Sequence, residues 1–132
     1  MTTSGLRRPA RAGAAVAAAT ALSFALATPS HADGAMAYAA GGAGKGYFTS
    51  YGDYFSIMDT AADGHSAVIH WKSSSGRESD EWDIDGADNG WTVVNRNLPE
   101  EDTVQYRACW GEWGNQYIHQ DSCSSWVTTS AG

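Results

Sequence analysis

The chain is poor in cysteine, in basic side chains and in the Leu and Ile that fill most cores, and each shortage removes a class of explanation. Two cysteines without a Cys-x-x-Cys spacing do not make a redox motif, and two thiols alone do not complete a zinc site. No Gly-x-Ser-x-Gly is present, so the nucleophile elbow of the α/β-hydrolases is missing. Eight Lys and Arg stand against fifteen Asp and Glu, and an acidic surface repels phosphate backbones, which argues against nucleic acid and anionic membrane partners. The one long apolar run, from Ala12 to Ala27, is shorter than the ~20 residues of a spanning helix and is rich in Ala rather than Leu or Ile. Beyond it no stretch has helical periodicity, and no internal repeat is visible.

What precedes and contains that run reads as a secretory signal peptide over residues 1–32: Arg7, Arg8 and Arg11 lead into the uncharged segment, and small residues at Ser30 and Ala32 offer a cleavage site. Cleavage after Ala32 fits best, and Ala25-Leu26-Ala27 offers a second site. Removing these residues takes away three of the eight basic side chains and none of the acidic ones, leaving five against fifteen, a net charge of −10. The remaining hundred or so residues close one small core with little margin. In an exported chain, two cysteines read as one disulfide, Cys109 to Cys123, and closing a loop of that length contributes roughly 3 kcal/mol.

Asp33 to Gly46 is Ala- and Gly-rich, and with little to bury it reads as a flexible lead over residues 33–46, ahead of an all-β domain over 47–132. Tyr47 to Ser50 and Tyr54 to Asp59 read as strands joined at Gly52-Asp53. Ala67, Ile69 and Trp71 alternate with Val68, His70 and Lys72, a strand with its bulkier apolar face inward. Trp91 to Val94 follows the turn signal Asp88-Asn89-Gly90. Val104, Tyr106, Ala108 and Trp110 share one strand face, with Gln105, Arg107 and Cys109 on the other. Glu112 to Asn115 supplies a hairpin turn, with Gly and Asn at its positive-φ positions, and Gln116 to Gln120 returns. Ser125 to Thr129 is a last strand. About seven short strands at this spacing predict a small antiparallel β-sandwich or barrel.

The strings YGDYFSIMDTAADGHSAVIHW, YRACWGEWG and CSSWV, which together span much of residues 51–127, resemble a recurrent group of small secreted proteins of Streptomyces and related actinobacteria. Their motifs are structural, so the resemblance implies export, an all-β fold and the disulfide, and names no activity. Members often carry a second cysteine pair mid-domain, where this chain has Glu81-Trp82-Asp83 and Asn95-Arg96-Asn97. The resemblance therefore implies a lost staple and a looser central segment.

Three groups of residues are candidates for chemistry. Asp63-Gly64-His65-Ser66 contains the residue types of a hydrolase triad, but neighbours in one turn do not converge as a triad must, and Asp63 and Ser66 serve the turn more simply. Of the histidines, His65 and His70 would face opposite ways on one strand, leaving His119 to pair with only one of them in a zinc or copper site. Glu81, Asp83 and Asp85, followed by Gly86, imitate the first half of a calcium loop; Thr92 at the twelfth position ends the likeness to an EF-hand, and Asp88 or Asn89 could close a looser site. Calcium is the one cofactor this leaves open. The alternative is a solvated acidic loop guarding a sheet edge. Paired carboxylates could also serve a glycosidase, but a domain this small leaves little room for the cleft.

Six tryptophans are many for so short a domain, and most are expected in the core, where large rings supply the area that few Leu and Ile do not. Trp113 sits in the turn, and with Glu112 and Asn115 it forms the expected binding surface. The expectation is a secreted, monomeric, non-enzymatic binding or structural domain, with an extracellular protein or glycan as partner and no membrane insertion after cleavage. The alternatives are an inhibitor of a secreted hydrolase and a small calcium-stabilised extracellular domain.

Overall fold

The computed structural model describes residues 33–87 and 89–132; the expected signal peptide and Asp88 lie outside the described residues. Among the described residues the chain forms nine strands: β1 (Ala37–Tyr38), β2 (Gly44–Thr49), β3 (Tyr54–Asp59), β4 (Ser66–Ser73), β5 (Glu78–Asp83), β6 (Thr92–Asn95), β7 (Thr103–Glu112), β8 (Tyr117–Ile118) and β9 (Val127–Ser130). They make two antiparallel sheets, one ordered β1-β2-β3-β6 and the other β5-β4-β7-β8, with β9 also on β7. The fold is the expected all-β sandwich, and the disulfide joins Cys109 to Cys123.

The alternation in β4 and β7 sets the core. Ala67, Ile69 and Trp71 face inward beside Val104, Tyr106 and Ala108, all buried. From the other sheet Phe48 and Phe55 meet them: Phe55 stacks on Trp71 with centroids 5.0 Å apart at 22° and meets Tyr106 edge-on at 6.3 Å. Rings thus supply the contact between the sheets, as the shortage of Leu and Ile requires.

Two elements beyond the expected seven appear. The first is β1, in the segment read as a flexible lead. Ala37, Ala39 and Ala43 are buried, and a Cβ on Gly46 would collide with the Ile69 side chain and lie 2.7 Å from the Ser56 carbonyl oxygen. The small side chains let β1 and β2 lie close over the second sheet; what read as nothing to bury is close packing. The second is β5, where the acidic run was expected to be a loop. Glu81 and Asp83 are on its inward face and buried. The tryptophans correct the expectation in part: Trp71 is buried and Trp110 packs against the core, and Trp113 is exposed as its place in the turn predicts, but Trp91 and Trp126 are exposed as well.

One edge of β7 is shared. β9 pairs with Thr103 to Tyr106 and β8 with Gly111 and Glu112. Between them the backbone N–H of Ala108 donates to Ser124 Oγ at 3.1 Å and that of Trp110 to Ser122 Oγ at 2.9 Å. Cys123 lies between these serines and bonds Cys109, which lies between Ala108 and Trp110. Serine hydroxyls therefore satisfy the ladder where no strand does, and the disulfide holds them in place. Cys109 is buried yet outside the core cluster, on the outward face as its alternation requires.

Tyr106 donates its hydroxyl proton to the Ala35 carbonyl at 2.5 Å, and burial pushes its phenol up to about 12. A group raised in the folded state stabilises fully below its unfolded value and loses that contribution as pH rises through the folded one. Denaturant unfolding should therefore show stability falling between about pH 10 and pH 12, and Tyr106→Phe should remove that part of the fall at a cost of about 1 kcal/mol at neutral pH. An identical alkaline profile in the variant would contradict the assignment.

Candidate functional site

The β7–β8 hairpin divides the residues expected to form one binding surface. It closes through a single 3-10 turn, Trp113–Asn115, and the left-handed position falls on Gln116 (φ 55°), where Gly114 or Asn115 was expected. Glu112 continues the inward parity of Trp110. Trp113 turns the other way and meets Trp82 at 5.7 Å and 59°. Asn115 is exposed in the turn. The structure therefore does not bring Glu112 and Trp113 into one constellation.

The register of three strands decides what Glu112 meets. One step beyond the pair Ser66↔Gly111, His65 falls beside Glu112; one step beyond Gly111↔Ile118, His119 falls beside Trp110. All lie on the inward face at the end of the second sheet. His65 Nδ1 is 2.5 Å and His119 Nε2 is 2.9 Å from the same oxygen, Glu112 Oε2. An ionised carboxylate only accepts, so both imidazoles donate. The hydrogen bond from His119, supported by that from His65, holds the Glu112 carboxyl below the usual carboxylate range. Trp110 packs against both rings, at 4.5 Å from His65 and 4.7 Å from His119. From spacing alone His119 can pair with either His65 or His70, and the register selects His65. His70 lies on the opposite face with Asp80 and Glu78, at 2.6 and 3.0 Å. Asp63 and Gly64 form a turn, with Asp63 Oδ1 accepting the His65 backbone N–H at 3.0 Å, and Ser66 is already the first residue of β4.

The expected calcium set is spread along β5 and past it. Glu81 accepts from Trp71 Nε1 at 2.8 Å and from Arg96 Nε and Nη2, both at 2.5 Å. Asp83 spans the two sheets, accepting the Asp59 backbone N–H at 2.8 Å through Oδ2 and the Thr92 hydroxyl at 3.1 Å through Oδ1. Asp85 is exposed and donates its backbone N–H to Asp83 at 3.2 Å. The oxygens of Glu81 and Asp83 thus serve the fold directly. The bidentate Glu81–Arg96 pair also joins the two segments between which the resemblance implied a missing staple, so the centre of the domain is held by a charge-assisted clamp.

Along this edge, next to the clamp, a recess of about 420 Å³ is flanked by Trp82 and Trp113, with Asp80, Ile84, Arg96 and Gln116 around it. Trp113 is 41% exposed. Ring faces beside a carboxylate, a guanidinium and an amide offer an apolar platform with directional donors and acceptors.

Comparison with protein-family models, with curated proteins and with solved structures finds no match. The functional reading therefore rests on the side chains themselves.

Glu81 is 3% exposed and Arg96 35%. Arg96→Ala should leave the buried carboxylate with the Trp71 indole alone and cost about 3 kcal/mol in urea unfolding, whereas replacing both partners by apolar side chains should cost less. A loss below about 0.5 kcal/mol for Arg96→Ala would show that solvent screens the pair.

Proposed function

We propose that this chain is an exported, non-enzymatic binding domain that takes a segment of glycan at the Trp82–Trp113 recess. The observation that carries the reading is the placement of Trp113: a large ring left exposed at a hairpin turn, against a second tryptophan, at the mouth of a concave surface. Core packing does not need it there, since Trp71, Phe48, Phe55 and Tyr106 fill the interior. Sugar rings present C–H faces to an aromatic platform and hydroxyls to groups at its rim, and Asp80, Arg96 and Gln116 supply both donors and acceptors for them. The recess falls within the size range of small-ligand sites. The acidic balance of the chain supports a neutral or basic ligand over an anionic one.

An array of cell-wall and plant polysaccharides identifies the ligand, and Trp113→Ala then tests the site. The variant should lose on the order of thirtyfold in affinity, the scale of an aromatic hot spot, with its melting temperature unchanged. Unchanged affinity in a folded variant, or unfolding on loss of the ring, would make Trp113 structural and overturn the reading.

A further inference from the structure

At the opposite side of the hairpin, away from the tryptophan recess, we infer that His65, Glu112 and His119 form a binding site for a divalent first-row transition metal, zinc or copper.

Among the described residues, His65, Glu112 and His119 are the group in which one ligand atom from each of three side chains lies within 4.8 Å of the others. Two imidazole nitrogens and one carboxylate oxygen suit zinc and copper and serve calcium or magnesium poorly, which take oxygen ligands. Three protein ligands leave a fourth position for water or an outside group. That position is reachable, since the three side chains are 34%, 36% and 31% exposed.

The geometry is close to what an ion requires. Zinc bonds nitrogen and oxygen at about 2.0–2.2 Å, so tetrahedral ligands stand roughly 3.4 Å apart, and the contacts at 2.5 and 2.9 Å need to open by less than about 1 Å. The ion would take the place of the protons that now join both rings to one oxygen. His65 sits between the turn at Gly64, whose φ is 84°, and the first residue of β4, and its side chain is half-buried.

The surrounding structure holds the donors in position. The His119 backbone N–H donates to the Trp110 carbonyl at 3.1 Å, and its own carbonyl accepts from Ser122 Oγ at 2.6 Å. The disulfide fixes the next turn of chain to β7. Trp110 forms the floor, and Tyr117 meets His119 edge-on at 4.9 Å. These contacts fix the backbone of His119 and the faces of both rings, the preorganisation a metal site requires.

The test uses the full protein, without a histidine tag and freed of metal by chelator. Calorimetric titration with zinc should give one ion per chain at micromolar or tighter affinity, with calcium and magnesium giving none at this site. In the unaltered protein, imidazole nitrogen NMR should show His65 and His119 shifted by zinc and His70 unmoved, a readout that does not depend on any variant folding. His119→Gln and Glu112→Gln should each weaken zinc at least tenfold, and His70→Gln should leave it unchanged. Absence of stoichiometric zinc and copper binding, or a zinc shift at His70 in place of His65 and His119, would overturn the assignment.

Discussion

The pairing of β4 with β7 is the constraint on which the rest of the structure depends. Eight consecutive pairs, from Ser66↔Gly111 to Ser73↔Val104, hold the centre of the second sheet, and their register assigns every side chain on both strands to a face. It puts Trp71 beside Tyr106 under Phe55, which gives the sandwich its interior. It puts Val68 beside Cys109 on the outer face, which sends the disulfide outside the core. The same register, run one step past the end of the ladder, brings His65 to Glu112. Core, staple and candidate metal site are consequences of one alignment.

Around that centre the domain makes up for a shortage of aliphatic bulk in three ways. Aromatic rings bridge the sheets. Small residues at Ala37, Ala39, Gly44 and Gly46 bring the strands of the first sheet close to the second. At the β5 edge, where a small sandwich is most open, Glu81 and Asp83 reach inward and tie the sheets together with Arg96, Thr92 and the Asp59 backbone. Buried charge in such clamps is costly to desolvate and is tolerated because each oxygen has a partner. The clamp also positions Arg96 at the rim of the tryptophan recess, so the residue that closes the fold borders the surface proposed to bind.

Strands with alternating apolar residues were legible in the sequence: β3, β4 and β7, the hairpin turn and the disulfide follow from period-two patterning, Gly-bounded turns and two cysteines. Two segments were not. Alanine and glycine carry no bulk to mark a buried face, so β1 and the start of β2 looked like a lead, although their smallness is what the packing requires. The acidic run looked like a loop because inward Glu81 and Asp83 replace the apolar residues by which a strand face is recognised. The histidine pair was only half legible. Opposite faces for His65 and His70 follow from their spacing, but the choice of His65 as partner of His119 needs the β4–β7 and β7–β8 registers together. The hairpin alone offered a clue: folding it about Trp113 to Gln116 sets His119 beside Trp110 and Tyr117 beside Glu112.

The most direct test of this account is the β4–β7 register in solution, read from cross-strand proton contacts by NMR. Ile69 is expected opposite Ala108, Trp71 opposite Tyr106 and His65 beside Glu112. Contacts displaced by one residue, which would turn Val68 and His70 toward the core and His65 away from Glu112, would contradict it.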